Sequence, residues 1–195
     1  MTNKETVLEI AKNNSGLLWS SELTKNGIAR EYLNILQKEK MIEKIGPGIY
    51  VLVGQIPDDM FVFQKKYPSI IFSHETAAYL HGLVTRAPKV FSVTIPRDYK
   101  PSLSMKGSQF YYADKPSTAE LCERKTMFGN KVLITNLERT IVDLVKNKKR
   151  LEGDTLTMAL NSYVKRKDKR LDLLYAYAKS QKVEMQVRLI MDLLL

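Results

Sequence analysis

Cysteine is nearly missing from this 195-residue chain: Cys122 stands alone, which excludes an internal disulfide and offers no thiolate pair for zinc. Histidine is as scarce, with only His74 and His81. No apolar run approaches the roughly 20 residues that a membrane-spanning helix needs. Met1-Thr2-Asn3-Lys4-Glu5 lacks the apolar stretch of a secretory signal. A glycine-rich phosphate loop, a nucleophile elbow, internal repeats and low-complexity tracts are also absent. These absences lead us to expect a cytoplasmic chain without membrane partner, metal, cofactor or catalytic residues.

Acidic charge is short as well. The chain holds 31 Lys/Arg against 21 Asp/Glu, a net charge of +10 that favours a polyanionic partner. Residues 1–56 carry seven of the basic and six of the acidic residues, so nearly all the excess lies in residues 57–195. A near-neutral reader of DNA gains little from phosphate neutralisation. The larger part would have to supply that grip.

The stretch from Ser20 to Leu52 is the most informative. Ser20 or Ser21 can cap a short helix, and Asn26-Gly27 supplies a turn that needs positive φ. From Ile28 to Lys40 the periodicity is helical, with Tyr32, Leu33, Ile35 and Leu36 as the apolar stripe. Arg30, Asn34, Gln37 and Lys38 share the opposite face. Ile42 to Ile45 and Ile49 to Val53 read as strands joined by Gly46-Pro47-Gly48. Helix, turn, helix and hairpin is the order of a winged helix-turn-helix, whose second helix enters the major groove. Arginine and lysine suit guanine edges or phosphate there, and asparagine or glutamine suits adenine. Lys44 is placed for phosphate. Glu31 and Glu39 leave a plain solvated face as the competing reading.

Ahead of this module, Thr2 to Glu5 has the spacing of a capping box and opens a helix to about Asn14, and Leu17 to Trp19 can pair with the hairpin. The expected first domain is residues 1–54. A linker follows around Gly54-Gln55-Ile56-Pro57, then a second domain over residues 57–195. Asp58-Asp59 heads a helix through Lys65, Ile70 to Phe72 is a strand, and Ser73 caps a helix to His81. Strands are expected at Val90 to Ile95 and Gln109 to Ala113, with a hairpin pairing Thr126-Met127 with Lys131 to Ile134. Thr135 to Glu138 opens a helix on Leu137, Ile141 and Leu144. Three further amphipathic helices run to the end. The fold class is α+β: an N-terminal winged helix-turn-helix, then a mixed α/β C-terminal domain with a helical tail.

Chemistry-bearing groups are sparse. His74 and His81 can face one side of a helix, but without a third ligand they read as structural, one near each helix end. Glu75 could form a buried ion pair, or an acid–base pair, with Arg139 or Asp143. Asp98-Tyr99-Lys100 resembles half of a nuclease pattern, without the second carboxylate that magnesium needs. The basic clusters are denser. Arg86, Lys89, Arg97 and Lys100 surround the central strand. Lys148, Lys149 and Arg150 follow Lys146 at a helix end, and Lys165, Arg166, Lys167, Lys169 and Arg170 fill the next join. All are candidate phosphate contacts that position rather than read. Complementing helix dipoles and keeping the chain soluble are the plainer roles.

Three segments carry a family resemblance. Phe72-Ser73-His74-Glu75-Thr76-Ala77-Ala78-Tyr79-Leu80-His81-Gly82-Leu83, Val93-Thr94-Ile95-Pro96-Arg97 and Leu137-Glu138-Arg139-Thr140-Ile141-Val142-Asp143-Leu144 follow the helix-turn-helix in order. In this the chain resembles the AbiEi family, antitoxins of type IV abortive-infection toxin–antitoxin systems, over nearly its whole length. The resemblance implies a repressor that binds inverted repeats in its own promoter. It also implies an antitoxin that counteracts a nucleotidyltransferase-like toxin without a stable complex. The alternatives from the residues themselves are a nucleic-acid-processing enzyme with a winged-helix docking domain, and an interaction module using the apolar end Leu193-Leu194-Leu195.

Overall fold

Thr2 starts the first helix as its spacing from Glu5 requires. Its hydroxyl accepts from the Glu5 amide at 3.3 Å, and the Glu5 carboxylate accepts from the Thr2 amide at 2.8 Å. A computed structural model describes residues 2–101, 105, 107–114 and 116–195. They form two units, Met1–Val62 and Phe63–Leu195. The division falls inside a helix, Asp59–Lys66, rather than at the expected linker around Gly54–Pro57.

In the first unit α1 (Asn3–Asn13) buries Val7 and Ala11. β1 (Leu17–Trp19) leads into α2 (Ser20–Lys25). Neither serine caps α2: Ser20 is already helical, and the Trp19 amide donates instead to the Glu22 carboxylate at 3.3 Å. Gly27 makes the turn at φ +67°. α3 spans Glu31–Lys38, shorter than expected because the chain from Ile28 to Arg30 is still completing that turn. Leu33 and Leu36 face the core, but Ile35, expected with them, is 42% exposed. One residue before Leu36 lies about 100° around a helix, which carries Ile35 off the buried face.

β2 (Ile42–Gly46) and β3 (Ile49–Leu52) form the hairpin. The antiparallel sheet has the order β1-β3-β2, with Trp19 opposite Ile49 and Lys44 opposite Tyr50. Gly48 sits at φ +70°, and a Cβ there would lie 2.7 Å from the Ser20 hydroxyl. Serine can rotate away, so the backbone sets the cost. Gly48→Ala should destabilise this unit by about 1–2 kcal/mol. The chain's single tryptophan, Trp19, reports the urea midpoint by fluorescence.

In the second unit α4 (Asp59–Lys66) precedes β4 (Ile71–Phe72), α5 (His74–Leu80), β5 (Ser92–Pro96) and β6 (Gln109–Ala113). β7 (Leu121–Lys125) and β8 (Lys131–Thr135) follow. The hairpin's first strand is thus 121–125, not Thr126-Met127. Thr126 belongs to the turn, its amide donating to Asn130 at 2.8 Å. The sheet order is β6-β5-β4-β8-β7, parallel at β5–β6 and β4–β8 and antiparallel elsewhere. α6 (Leu137–Lys146) is buried from Leu137 to Val145. α7 (Thr155–Val164), α8 (Leu171–Ser180) and α9 (Glu184–Leu194) wrap it, with Leu160, Tyr163, Leu174, Val187 and Met191 filling the core between them. The result is a mixed α+β chain with a C-terminal helical tail. Met185, Leu189 and Leu193, four apart on α9, remain exposed. Among the described residues no helix is long and apolar enough to cross a membrane.

Candidate functional site

Two places gather chemistry, one in each unit. In the first, α2, the Gly27 turn and α3 leave Asn34, Gln37 and Lys38 exposed on one helix. None of these side chains makes a hydrogen bond or ion pair among the described residues, so their donors and acceptors face solvent. Arg30 is different: it sits at the N-cap of α3, and its Nε donates to Thr24 Oγ1 at 3.1 Å. Lys44 is exposed on β2.

The basic clusters of the second unit divide into free and engaged side chains. Lys148, Lys149, Lys165 and Lys167 are exposed and unpaired among the described residues, as are Arg86, Lys89 and Lys100 on loops. Arg97 pairs with Asp114 at 3.0 Å, both largely exposed. Arg166 forks onto Asp168, with bonds of 2.8 and 2.7 Å, and also donates to the His81 carbonyl. Lys169 donates to the Arg166 carbonyl, and Arg170 pairs with Asp172. Three of the five basic residues in the join at 165–170 are therefore engaged in holding their own loop. Arg150 is exposed, with its guanidinium 4.3 Å from the Tyr111 ring centroid while donating to the Phe110 carbonyl. Asp98 and Lys100 lie on an exposed loop after β5. No three His, Cys, Asp or Glu residues gather as a metal site among the described residues.

The second place was barely visible in the sequence. β5, β6 and the ends of α5 and α6 enclose a pocket of about 230 Å³, lined by His74, Tyr111, Arg139, Asp143, Lys146 and Arg150 among others. His74 opens α5 at φ +49°, a backbone conformation that costs a non-glycine residue energy. Its ring stacks on Tyr111 with centroids 3.3 Å apart and planes at 11°. Ser73 Oγ lies 2.8 Å from Nδ1 and also accepts from Thr94, while Asn147 Nδ2 lies 2.9 Å from Nε2. With the amide so placed, the neutral ring carries its proton on Nδ1 and donates to Ser73. Burial, then repulsion by Arg139, Arg150 and Lys146, holds the His74 pKa well below its ordinary value.

Arg139, Asp143 and Glu120 form the buried charge network of this wall. Arg139 Nε donates to Asp143 Oδ1 at 2.8 Å, and its Nη1 to Glu120. Burial outweighs the guanidinium and pushes the Asp143 carboxyl up to about 6. Asp143 Oδ2 and the Tyr111 hydroxyl are buried without a partner among the described residues. Glu75, expected to pair with Arg139 or Asp143, does neither. It accepts from the Glu152 amide at 2.9 Å and from Thr155, tying α5 to the loop before α7. His81, at the other end of α5, bonds the Thr135 carbonyl at 2.8 Å. Both histidines are thus held structurally at opposite helix ends, as the spacing led us to expect.

Tyr111 and Asn147 escaped the sequence reading, since one is an ordinary strand aromatic and the other an ordinary helix cap. The usable signal was on α6, where Glu138, Arg139 and Asp143 sit among apolar residues on every face.

The architecture defines an α+β chain of two units. It is similar to the crystal structure of the RV2827C protein from Mycobacterium tuberculosis, with a TM-score of 0.64 at 12% identity, covering 89% of this chain and 70% of that one. At that identity the likeness concerns the fold alone. No family model matches the sequence, and neither does any curated protein.

Proposed function

We propose that the chain is a DNA-binding transcriptional repressor of its own operon, acting also as a type IV antitoxin of the AbiEi kind. The first unit is read as a winged helix-turn-helix, with α3 as the recognition helix and the β2–β3 hairpin as the wing. The observation that carries this is the solvent-facing row Asn34, Gln37 and Lys38 on the helix after the Gly27 turn, with Lys44 exposed on the adjoining hairpin. Side chains that spend nothing on their own fold are free to bond base edges and phosphates. Exposed Lys148, Lys149, Lys165 and Lys167 of the second unit would add phosphate contacts.

The antitoxin part rests on the resemblance and on one fact of packing. The helix of the Ser-His-Glu segment packs on the helix of the Glu-Arg-Thr segment, and Asn147, the C-cap of the second, lies 2.9 Å from His74 of the first. Segments far apart in sequence thus contribute to one structural element.

The test is binding to DNA from upstream of its own reading frame, followed by fluorescence anisotropy across a salt series. Lys38→Gln with Lys44→Gln should reduce the slope of log K against log salt by roughly 1.8, about 0.9 for each phosphate that is no longer neutralised. Asn34→Ala with Gln37→Ala should leave that slope alone and lower the preference for the inverted repeat by about 1–3 kcal/mol for each base edge no longer bonded. An unchanged slope in the lysine pair and unchanged preference in the amide pair would remove α3 and the hairpin from the interface.

A further inference from the structure

We infer that the pocket between β5, β6 and the end of α6 is a binding site for a phosphorylated sugar, for which 5′-AMP serves as the probe. Its wall presents Arg139, Lys146 and Arg150 beside Asp143, and once Glu120, which Arg139 also bonds, is counted, one positive charge is left over. A phosphomonoester carries about −1.5 to −2 at neutral pH and is drawn to a wall of net positive charge. The cations are not there to neutralise one another. Lys146 is held below its ordinary pKa by desolvation, with repulsion from Arg139, Arg97 and Lys182 adding to it against the attraction of Asp143. An arriving dianion relieves that repulsion.

The hydrogen bonds left open fit the same ligand. Tyr111 is 4% exposed and its hydroxyl, a donor, has no acceptor among the described residues. Asp143 is 3% exposed and its Oδ2, an acceptor while ionised, has no donor among them. Buried groups left unpaired cost free energy, about 1–3 kcal/mol each, so a fold keeps them where something else completes them. A phosphate oxygen satisfies the first and a ribose hydroxyl the second. One molecule with both groups next to each other is a phosphorylated sugar.

The surrounding frame is rigid enough to select. His74 is fixed through both ring nitrogens and by the Tyr111 stack, at a backbone angle that only a well-packed site maintains. Arg150 approaches the ring of the same tyrosine. Ligand polar groups would therefore meet oriented partners, with little ordering left to be done on binding.

Isothermal titration of the full chain with 5′-AMP, adenosine and inorganic phosphate tests the site. AMP should bind saturably, adenosine at least about 100-fold more weakly, and phosphate alone more weakly than AMP. Lys146→Gln changes an exposed side chain and should weaken AMP about tenfold. Tyr111→Phe keeps the ring and removes only the hydroxyl, and should weaken AMP several-fold. Circular dichroism establishes that each variant is folded, and Lys146→Gln decides the matter if the tyrosine variant is not. No saturable heat up to about 5 mM AMP, equal affinity for AMP and adenosine, or an unchanged affinity in Lys146→Gln would each overturn the assignment. Phosphate binding as tightly as AMP would overturn the phosphorylated sugar and leave an anion site in its place.

Discussion

Arg139→Met should cost the C-terminal unit about 3–5 kcal/mol, the usual penalty for removing one partner of a buried ion pair. The guanidinium is 3% exposed and bonds two carboxylates at once, Asp143 on its own helix and Glu120 beside β7. Methionine fills similar volume, so the loss is electrostatic rather than a cavity. What remains is a fully enclosed Asp143 whose pKa already stands at about 6 with the arginine present. Without it, only Lys146 opposes desolvation and the pKa rises further. A carboxyl whose pKa is raised in the folded state destabilises when charged and ceases to do so as pH falls through that value. The penalty should therefore be larger at pH 8 than at pH 5.5, measured from urea midpoints by circular dichroism. Arg139→Met with Asp143→Asn should recover part of the loss, because position 143 then carries no charge to be left unpaired. A single-variant cost under about 1 kcal/mol, equal at both pH values, would mean that water reaches this network.

That network also marks where sequence reasoning stopped. Local rules gave local structure: the Thr2–Glu5 box, the Gly27 turn and the hairpin across Gly46 to Gly48 all stand as the residue spacing requires. Periodicity failed where one position sat between faces, as at Ile35. It failed again at β7, because Leu121-Cys122-Glu123-Arg124-Lys125 is an edge strand exposed over its latter half and carries no alternating apolar signal. The basic join divides into engaged and free side chains in a way that composition does not show. Arg166 and Arg170 each have an aspartate two residues on, at Asp168 and Asp172, and that short spacing already implied that their charges were taken. The pocket was hidden for a different reason. Tyr111, Asp143 and Arg150 come from a strand, a helix and the turn after it, and only the sheet order brings them to one wall. Composition located the surplus charge in the larger unit but could not separate cations facing solvent from those facing inward.

His81 should make the second unit acid-sensitive, and by a larger amount than its modest role as a helix end suggests. Its Nε2 donates to the Thr135 carbonyl at 2.8 Å, and Nδ1 is buried without a partner among the described residues. A second proton would have to sit on that enclosed nitrogen. Burial therefore pushes the pKa down to about 4, Arg124 and Arg166 lower it further, and the Thr135 bond and Asp168 oppose them. The unfolded chain protonates this ring near 6.5, so below that pH the unfolded state holds the extra proton. Stability from His81 is complete above pH 6.5 and drains away as pH falls to about 4, a loss on the order of 3 kcal/mol. Asp143 acts in the opposite sense between pH 6 and its unfolded value near 3.8, by a comparable amount. The two nearly cancel in the native chain, which leaves His74, also held low, to set the visible acid slope. Only a difference isolates His81. Its replacement in His81→Gln can still donate to Thr135 but does not titrate. The stability gap between the variant and the native chain should shift by about 3 kcal/mol in the variant's favour from pH 7.5 to pH 4. Parallel curves over that range would show that the His81 ring is already solvated in the folded state.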